Sequence, residues 1–263
     1  MGWRRGHIRL SFLFTVGVVL AMASTVFGMK KDDFKTCSQS GFCKRNRAYA
    51  DMVTNSATKF ESPYTLLLNT VEYDKSHVYA DIENTDSNIL LTLDLYVLDD
   101  NTARVRVNEK QPIKPRYDEH TKYTLVDEPL SKEAESVTSN NEGVTVVIDA
   151  TRKIVIQSHP VRIDFIVNDS PVISLNDRGL FNFEHLRLKE DHKPKMIQEE
   201  DGEKEAPWES DMWEETFKTW TDPKPNGPES IALDITFHDF PHVYGIPVSF
   251  VMIVVNVIFI MLL

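Results

Sequence analysis

Between residues 64 and 188, apolar and polar positions alternate in short runs, and no amphipathic helical period interrupts them. Residues 89–98, ILLTLDLYVL, turn Leu91, Leu93 and Leu95 to one side and Thr92, Asp94 and Tyr96 to the other. Residues 102–107 oppose Ala103, Val105 and Val107 to Arg104 and Arg106. Successive side chains of a strand point to opposite faces, so each run predicts one face in a core and one toward water. Residues 64–73 and 77–82, parted by Asp74-Lys75-Ser76, read as a hairpin. The pattern returns at 144–148, 154–157, 161–167 and 172–175, divided by Ala150-Thr151-Arg152, His159-Pro160 and Asp169-Ser170-Pro171. Residues 180–188 put Phe181, Phe183 and His185 on one side, and residues 231–237 add one more strand. Pro112 and Pro115 lack the donor a ladder needs, so residues 111–116 predict a loop or an edge. Many short strands with no competing helix predict an all-β fold, an antiparallel β-sandwich.

The ends of the chain break this pattern. Arg4, Arg5 and Arg9 precede an apolar run over 10–23, and Val26 and Gly28 place a cleavage site after residue 28. Residues 1–28 therefore predict a signal peptide and a lumenal chain; an uncleaved anchor is the competing reading, against which the run is shorter than the ~20 residues a spanning helix needs. Residues 29–60 are polar and turn-rich and predict an extended lead-in, with Lys44, Arg45 and Arg47 on a solvated surface. The chain holds two cysteines, Cys37 and Cys43, which an oxidising lumen would join in a disulfide. Metal binding competes, but two ligands without paired His or Cys elsewhere make a poor zinc site.

Composition adds one boundary and one exclusion. The net charge of −11 over 263 residues offers no basic face for phosphates, which argues against a nucleic-acid partner. The acidity is concentrated: residues 189–215 hold eleven Asp or Glu against four Lys. A segment with so little apolar surface predicts a disordered acidic insertion over 189–212, after which Trp213, Phe217 and Trp220 lead residues 213–247 back into the sandwich that residues 61–188 begin. Residues 248–263 then carry no charge, and only Ser249 and Asn256 are polar. As a helix, such a tail would span ~24 Å of a ~30 Å hydrocarbon core, so membrane anchoring would be marginal.

Candidate chemistry is sparse. The chain shows no GxSxG, HExxH, GxGxxG or phosphate-loop pattern. Its 40 acidic residues always offer carboxylate pairs, so pairing alone assigns nothing. No catalytic, cofactor-binding or metal-ligating residue is assigned. Asn168-Asp169-Ser170 is the one glycosylation sequon, at a predicted strand end and followed by Pro171.

Six blocks, in order, carry a family resemblance: FKTCSQSGFCKRNR (34–47), SPYTLLL (62–68), PRY (115–117), LNDRGLFNFEHLR (175–187), WEETFKTWTDPKPNGPESIALDITF (213–237) and HVYGIP (242–247). They resemble the N-terminal part of the glucosidase II alpha subunits of glycoside hydrolase family 31. The resemblance implies a galactose-mutarotase-like β-sandwich with a lead-in disulfide, residence in the endoplasmic reticulum, an N-linked glycan as the whole enzyme's substrate, and the glucosidase II beta subunit as partner. It also implies that the catalytic aspartates lie in a (β/α)8 barrel downstream of the HVYGIP block, so this chain is expected to be truncated before the barrel and inactive alone. A short lumenal β-domain tethered by its tail, binding glycan or the beta subunit, is the alternative. The resemblance stops within one residue of Pro247, and Val248-Ser249 is what a consensus splice donor, GTAAGT, would encode. Val, Ile, Phe, Met and Leu all use codons with T at the second position, so residues 248–263 are expected to be translated intron.

Overall fold

The computed structural model describes residues 31–55, 60–99, 102–116, 123, 125–199, 201–240 and 257–261. The expected signal peptide over 1–28, Tyr117, the HVYGIP block and residues 248–256, 262 and 263 of the tail lie outside them. The chain divides into two compact units, residues 1–40 and 41–263. In the first, 3-10 turns run over Lys31–Asp33 and Cys37–Gln39, and Gln39 Oε1 accepts the Thr36 backbone N–H at 2.9 Å.

The second unit opens with a helix, α1 (Gly41–Asn55), where the lead-in is expected to be extended. Its inward side is formed by Phe42, Arg45, Asn46, Tyr49 and Val53, spaced three and four apart. A charged residue in the middle of that stripe hides the helical period from a hydrophobicity reading. Arg45, expected on a solvated surface, is 9% exposed.

Four strands follow as a meander: β1 (Tyr64–Tyr73), β2 (His77–Asn84), β3 (Ile89–Val97) and β4 (Thr102–Glu109). Five more, β5 (Ser136–Ser139), β6 (Gly143–Val147), β7 (Arg152–Gln157), β8 (Arg162–Val167) and β9 (Ser170–Leu175), form a second meander. Every pairing in both is antiparallel. Alternation holds as the sequence predicts: Leu91, Leu93 and Leu95 are 1%, 1% and 0% exposed, while Thr92, Asp94 and Tyr96 are half-buried on the other face. Val78, Ala80, Ile82, Ala103 and Val105 join them against Val144, Val146, Ile154, Ile156, Ile163 and Phe165 of the second sheet. The sheets are also tied at the rim, where the Leu66 N–H donates to Ser158 O at 2.9 Å and the Ser158 hydroxyl to Leu66 O at 3.0 Å.

From here the elements are shorter than predicted. Only β10 (Asn182–Phe183) of the 180–188 run is strand. The acidic insertion, expected to be disordered, contains a hairpin of β11 (Met196–Glu199) and β12 (Gly202–Glu205) and a 3-10 turn over Glu209–Asp211. A second hairpin, β13 (Glu214–Phe217) with β14 (Trp220–Pro223), follows. The single strand expected over 231–237 is two: β15 (Ile231–Ala232) pairs with β10, and β16 (Ile235–Phe237) adds an edge beside β9. Of the tail, β17 (Val257–Met261) pairs antiparallel with β4. No helix among the described residues is long and apolar enough to cross a membrane.

Candidate functional site

Glu184 marks the place where alternation stops. Phe181 and Phe183 enter the core at 6% and 4% exposure, so a regular strand would send residue 184 to water; instead Glu184 is 8% exposed. Arg45 of α1 donates its Nε to Glu184 Oε1 and lies with its Nη2 3.5 Å from Oε2. Ser230 donates its backbone N–H to Oε2 at 3.1 Å and its hydroxyl to the same oxygen. An unpaired buried charge costs several kcal/mol, so carboxylate and guanidinium enter the interior only together.

A second arginine closes the other side. Arg116, from the loop after β4, directs Nε and Nη2 to Glu109 Oε1 at 2.9 and 2.6 Å, Nη1 to Glu229 O at 2.8 Å and Nη2 to Glu184 O at 2.5 Å. Its guanidinium carbon stands 4.7 Å from the centre of the Phe183 ring, over the face that attracts cations. Glu109 Oε1 also accepts the Leu186 backbone N–H at 3.0 Å. Beside this pair, burial and then the neighbouring Arg187, Arg116 and His192 push the His185 imidazole down to about 4, so it is neutral near pH 7. Burial likewise lowers Arg187. Gly227, at φ 71°, makes room for it: a Cβ there would sit 3.0 Å from Arg187 Nε.

The start of α1 is held by the hairpin beyond the acidic insertion. Glu215 Oε1 accepts the Gly41 backbone N–H at 3.1 Å, while its Oε2 takes Lys224 Nζ at 2.7 Å. A carboxylate there satisfies an orphan donor and faces the positive end of the helix dipole. Lys44 reaches Asp211 Oδ2 at 2.9 Å, so the expected solvated cluster is a set of ties, with Arg47 alone on the surface.

Arg45, Arg116, Glu184, Glu215 and Ser230 come from four of the six blocks quoted above, and the structure draws those blocks onto one clamp. Both Glu184 oxygens meet donors from the chain itself, and the chemistry of the cluster is structural. A second cluster looks more like a catalytic one. Ser174 Oγ lies 2.5 Å from Asp164 Oδ1 and 2.8 Å from His238 Nε2, with Arg162 Nε on the same Asp164 oxygen at 2.8 Å. A serine nucleophile needs histidine between it and the carboxylate; here serine is in the middle, and at 0% exposure no substrate reaches it. No group of three or more His, Cys, Asp or Glu among the described residues could hold a metal ion. Of the residues singled out in the sequence, Cys37 and Cys43 are disulfide-bonded, and Asn168 is exposed at the turn between β8 and β9. The clamp itself was not among them, because Arg45 and Glu184 lie in unrelated local patterns.

Residues 92–251 match the glycosyl hydrolase 31 N-terminal galactose mutarotase-like domain. Neutral alpha-glucosidase AB of Sus scrofa is 34% identical over 254 residues, covering 88% of this chain and 26% of the relative. Glucosidase 2 subunit alpha of Schizosaccharomyces pombe is 27% identical over 256 residues, 90% of this chain and 26% of that one. A crystal structure of a glucosidase II alpha subunit superimposes with a TM-score of 0.70 at 34% identity, over 84% of this chain and 24% of that chain. A heterodimeric complex of an ER glucosidase II catalytic subunit and the binding domain of its regulatory subunit gives 0.68 at 34% identity, over 82% and 24%. The chain thus spans about a quarter of the length of the curated relatives it matches, 26% of the Sus scrofa protein. Sequence and superposition agree, and this chain belongs to glycosyl hydrolase family 31, carrying its N-terminal galactose mutarotase-like domain.

Proposed function

We propose that this chain provides the N-terminal β-domain of an endoplasmic-reticulum glucosidase II alpha subunit, the α-glucosidase that trims glucose from N-linked glycans. The superposition at a TM-score of 0.70 with 34% identity carries this reading. Alone, the chain hydrolyses no glycoside. Retaining hydrolysis needs two carboxyl groups about 5 Å apart across the sugar. The buried carboxylates of the clamp region are engaged by the chain itself: Glu109 by Arg116, Glu184 by Arg45, Glu209 by His192 and Glu215 by Lys224. Its role is to fold as one body with a catalytic domain, in a lumen reached through residues 1–28. The reading of residues 248–263 as translated intron rests on their sequence alone, since the family match runs on to residue 251 and Val257–Met261 pairs with β4.

The partner follows from the same likeness: a regulatory beta subunit binds the assembled enzyme. Three measurements test the reading. Purified chain incubated with a fluorogenic α-glucoside releases no more glucose than a mock preparation; release above that level overturns the claim of inactivity. Long-read transcripts show splicing after the Pro247 codon, and their absence removes the intron reading. Immunoprecipitation of the regulatory subunit from cells making the spliced, longer chain recovers that chain, and failure to do so removes the partner.

A further inference from the structure

Hairpin β8–β9 turns through two residues, Asn168 and Asp169, both in the left-handed region at φ 49° and 60°, with Val167 facing Ser170. Two-residue hairpin turns of this hand select Asn, Asp and Gly. Four other turn-forming Asn and Asp residues, Asp74, Asn84, Asn140 and Asp149, use their side chains in a way that Asn168 does not. Asp74 Oδ1 accepts the backbone N–H of Ser76 and His77 at 2.7 and 2.8 Å. Asn84 Oδ1 does the same for Asp86 and Ser87 at 3.0 and 3.2 Å, and Asn140 Oδ1 for Glu142 and Gly143 at 2.8 and 3.0 Å. Asp149 Oδ1 takes Thr151 and Arg152 at 2.9 and 3.0 Å. Each folds its side chain over its own turn, as short polar residues do.

The turn at Asn168 is held differently. Its backbone N–H donates to Thr151 O at 2.8 Å, and the neighbouring Asp169 carboxylate accepts Lys153 Nζ at 2.7 Å. The Asn168 carboxamide has no hydrogen-bond partner among the described residues, and Asn168, Asp169, Ser170 and Pro171 are all exposed. The turn uses the backbone of the one sequon asparagine in the chain and leaves its carboxamide unengaged.

We propose that Asn168 is an N-glycosylation site. The donor is a lipid-pyrophosphate-linked oligosaccharide: Asn168 Nδ2 bonds to its anomeric carbon, the bond from that carbon to the pyrophosphate oxygen breaks, and the amide proton leaves with the lipid pyrophosphate. Ser170 supplies the sequon hydroxyl. This inference rests on the lumenal reading above. A glycan here also fixes the β8–β9 end of the second sheet as solvent-facing in the assembled protein, so a further domain or a subunit docks elsewhere.

The test translates the full chain in the presence of microsomes, once as it stands and once behind an added cleavable secretion leader. Vesicle-protected chain is digested with peptide N-glycosidase F, which converts a glycosylated Asn to Asp, and the peptide holding residue 168 is weighed. Expected is the loss of one glycan's mass from the protected chain, with conversion at residue 168. Both Asn168→Gln and Ser170→Ala abolish it; the second leaves the turn asparagine in place and separates modification from folding. A glycan seen only behind the added leader supports the site and refutes the native leader instead. Protected chain behind the added leader that carries no glycan at Asn168 overturns the proposal.

Discussion

Arg45 and Glu184, 139 positions apart, form an ion pair in which each side chain is 8% exposed. One partner lies on α1 and the other beside β10, so the pair joins the helix to the sandwich through charge rather than through apolar contact. Removing one member leaves the other buried and uncompensated, which costs about 3–5 kcal/mol. Arg45→Ala is expected to lower urea-unfolding stability by that amount. Replacing both, as Arg45→Met with Glu184→Leu, is expected to recover most of the loss, because well-packed apolar side chains often match a buried pair. A double variant as unstable as the single one would mean that Ser230 and the Glu184 backbone, rather than the pair, carry the clamp.

His185 gives the clamp a pH dependence with a definite sign. Its imidazole is lowered from an ordinary 6.5 to about 4 in the fold. Between those values the unfolded chain binds a proton that the folded chain does not, so stability rises with pH across the window. The contribution is complete above 6.5 and is lost as pH falls toward 4. Urea midpoints measured from pH 7 to 4.5 should fall more steeply for the native chain than for His185→Asn. Equal slopes would place the acid sensitivity on the carboxylates alone.

What could be read from the sequence follows the same physics. Leu91, Leu93 and Leu95 declare themselves because one sheet face is apolar and the other polar, and period two is then visible without a structure. The β11–β12 and β13–β14 hairpins escape notice because one strand of each has no buried face: all four residues of Gly202–Glu205 and of Trp220–Pro223 are exposed. The helix escapes for the opposite reason, since Arg45 interrupts its inward stripe. The clamp could not be found locally at all. Glu184 reads as an outward residue by parity with Phe183, and only a partner far away in sequence makes its burial affordable. The family blocks hold its residues, but the resemblance assigned none of them a place in a clamp.

The two faces of β3 predict unequal sensitivity. Leu95 is 0% exposed and packed in the core, while Thr92 is half-buried on the opposite face. Leu95→Ala should cost about 2–5 kcal/mol, the usual range for removing a buried leucine side chain and leaving a cavity. Thr92→Ala should stay within about 0.5 kcal/mol, like most surface changes. Thermal unfolding of the two variants side by side checks the assignment of the faces, and similar losses would contradict it.

Gly143 should be among the positions least tolerant of change. It opens β6 opposite Gln157, and a Cβ built on it would lie 1.9 Å from the Ile156 carbonyl oxygen and 2.9 Å from its carbon. Those atoms are backbone held in the β6–β7 ladder, so relief requires moving a strand whose Ile154 and Ile156 side chains are 0% exposed. The cost of Gly143→Ala should therefore reach the top of the 1–3 kcal/mol usual for overpacking, or about 3 kcal/mol. Gly202 separates crowding from backbone conformation: its φ is 114°, which disfavours a side chain, yet nothing lies within 4 Å of a Cβ there. Gly202→Ala should cost only about 1 kcal/mol through its backbone. With each kcal/mol moving Tm by roughly 2–4 °C in a domain of this size, calorimetry resolves the two. Equal shifts would mean that β6 can slide past Ile156, and that the β6–β7 register is looser than its continuous ladder indicates.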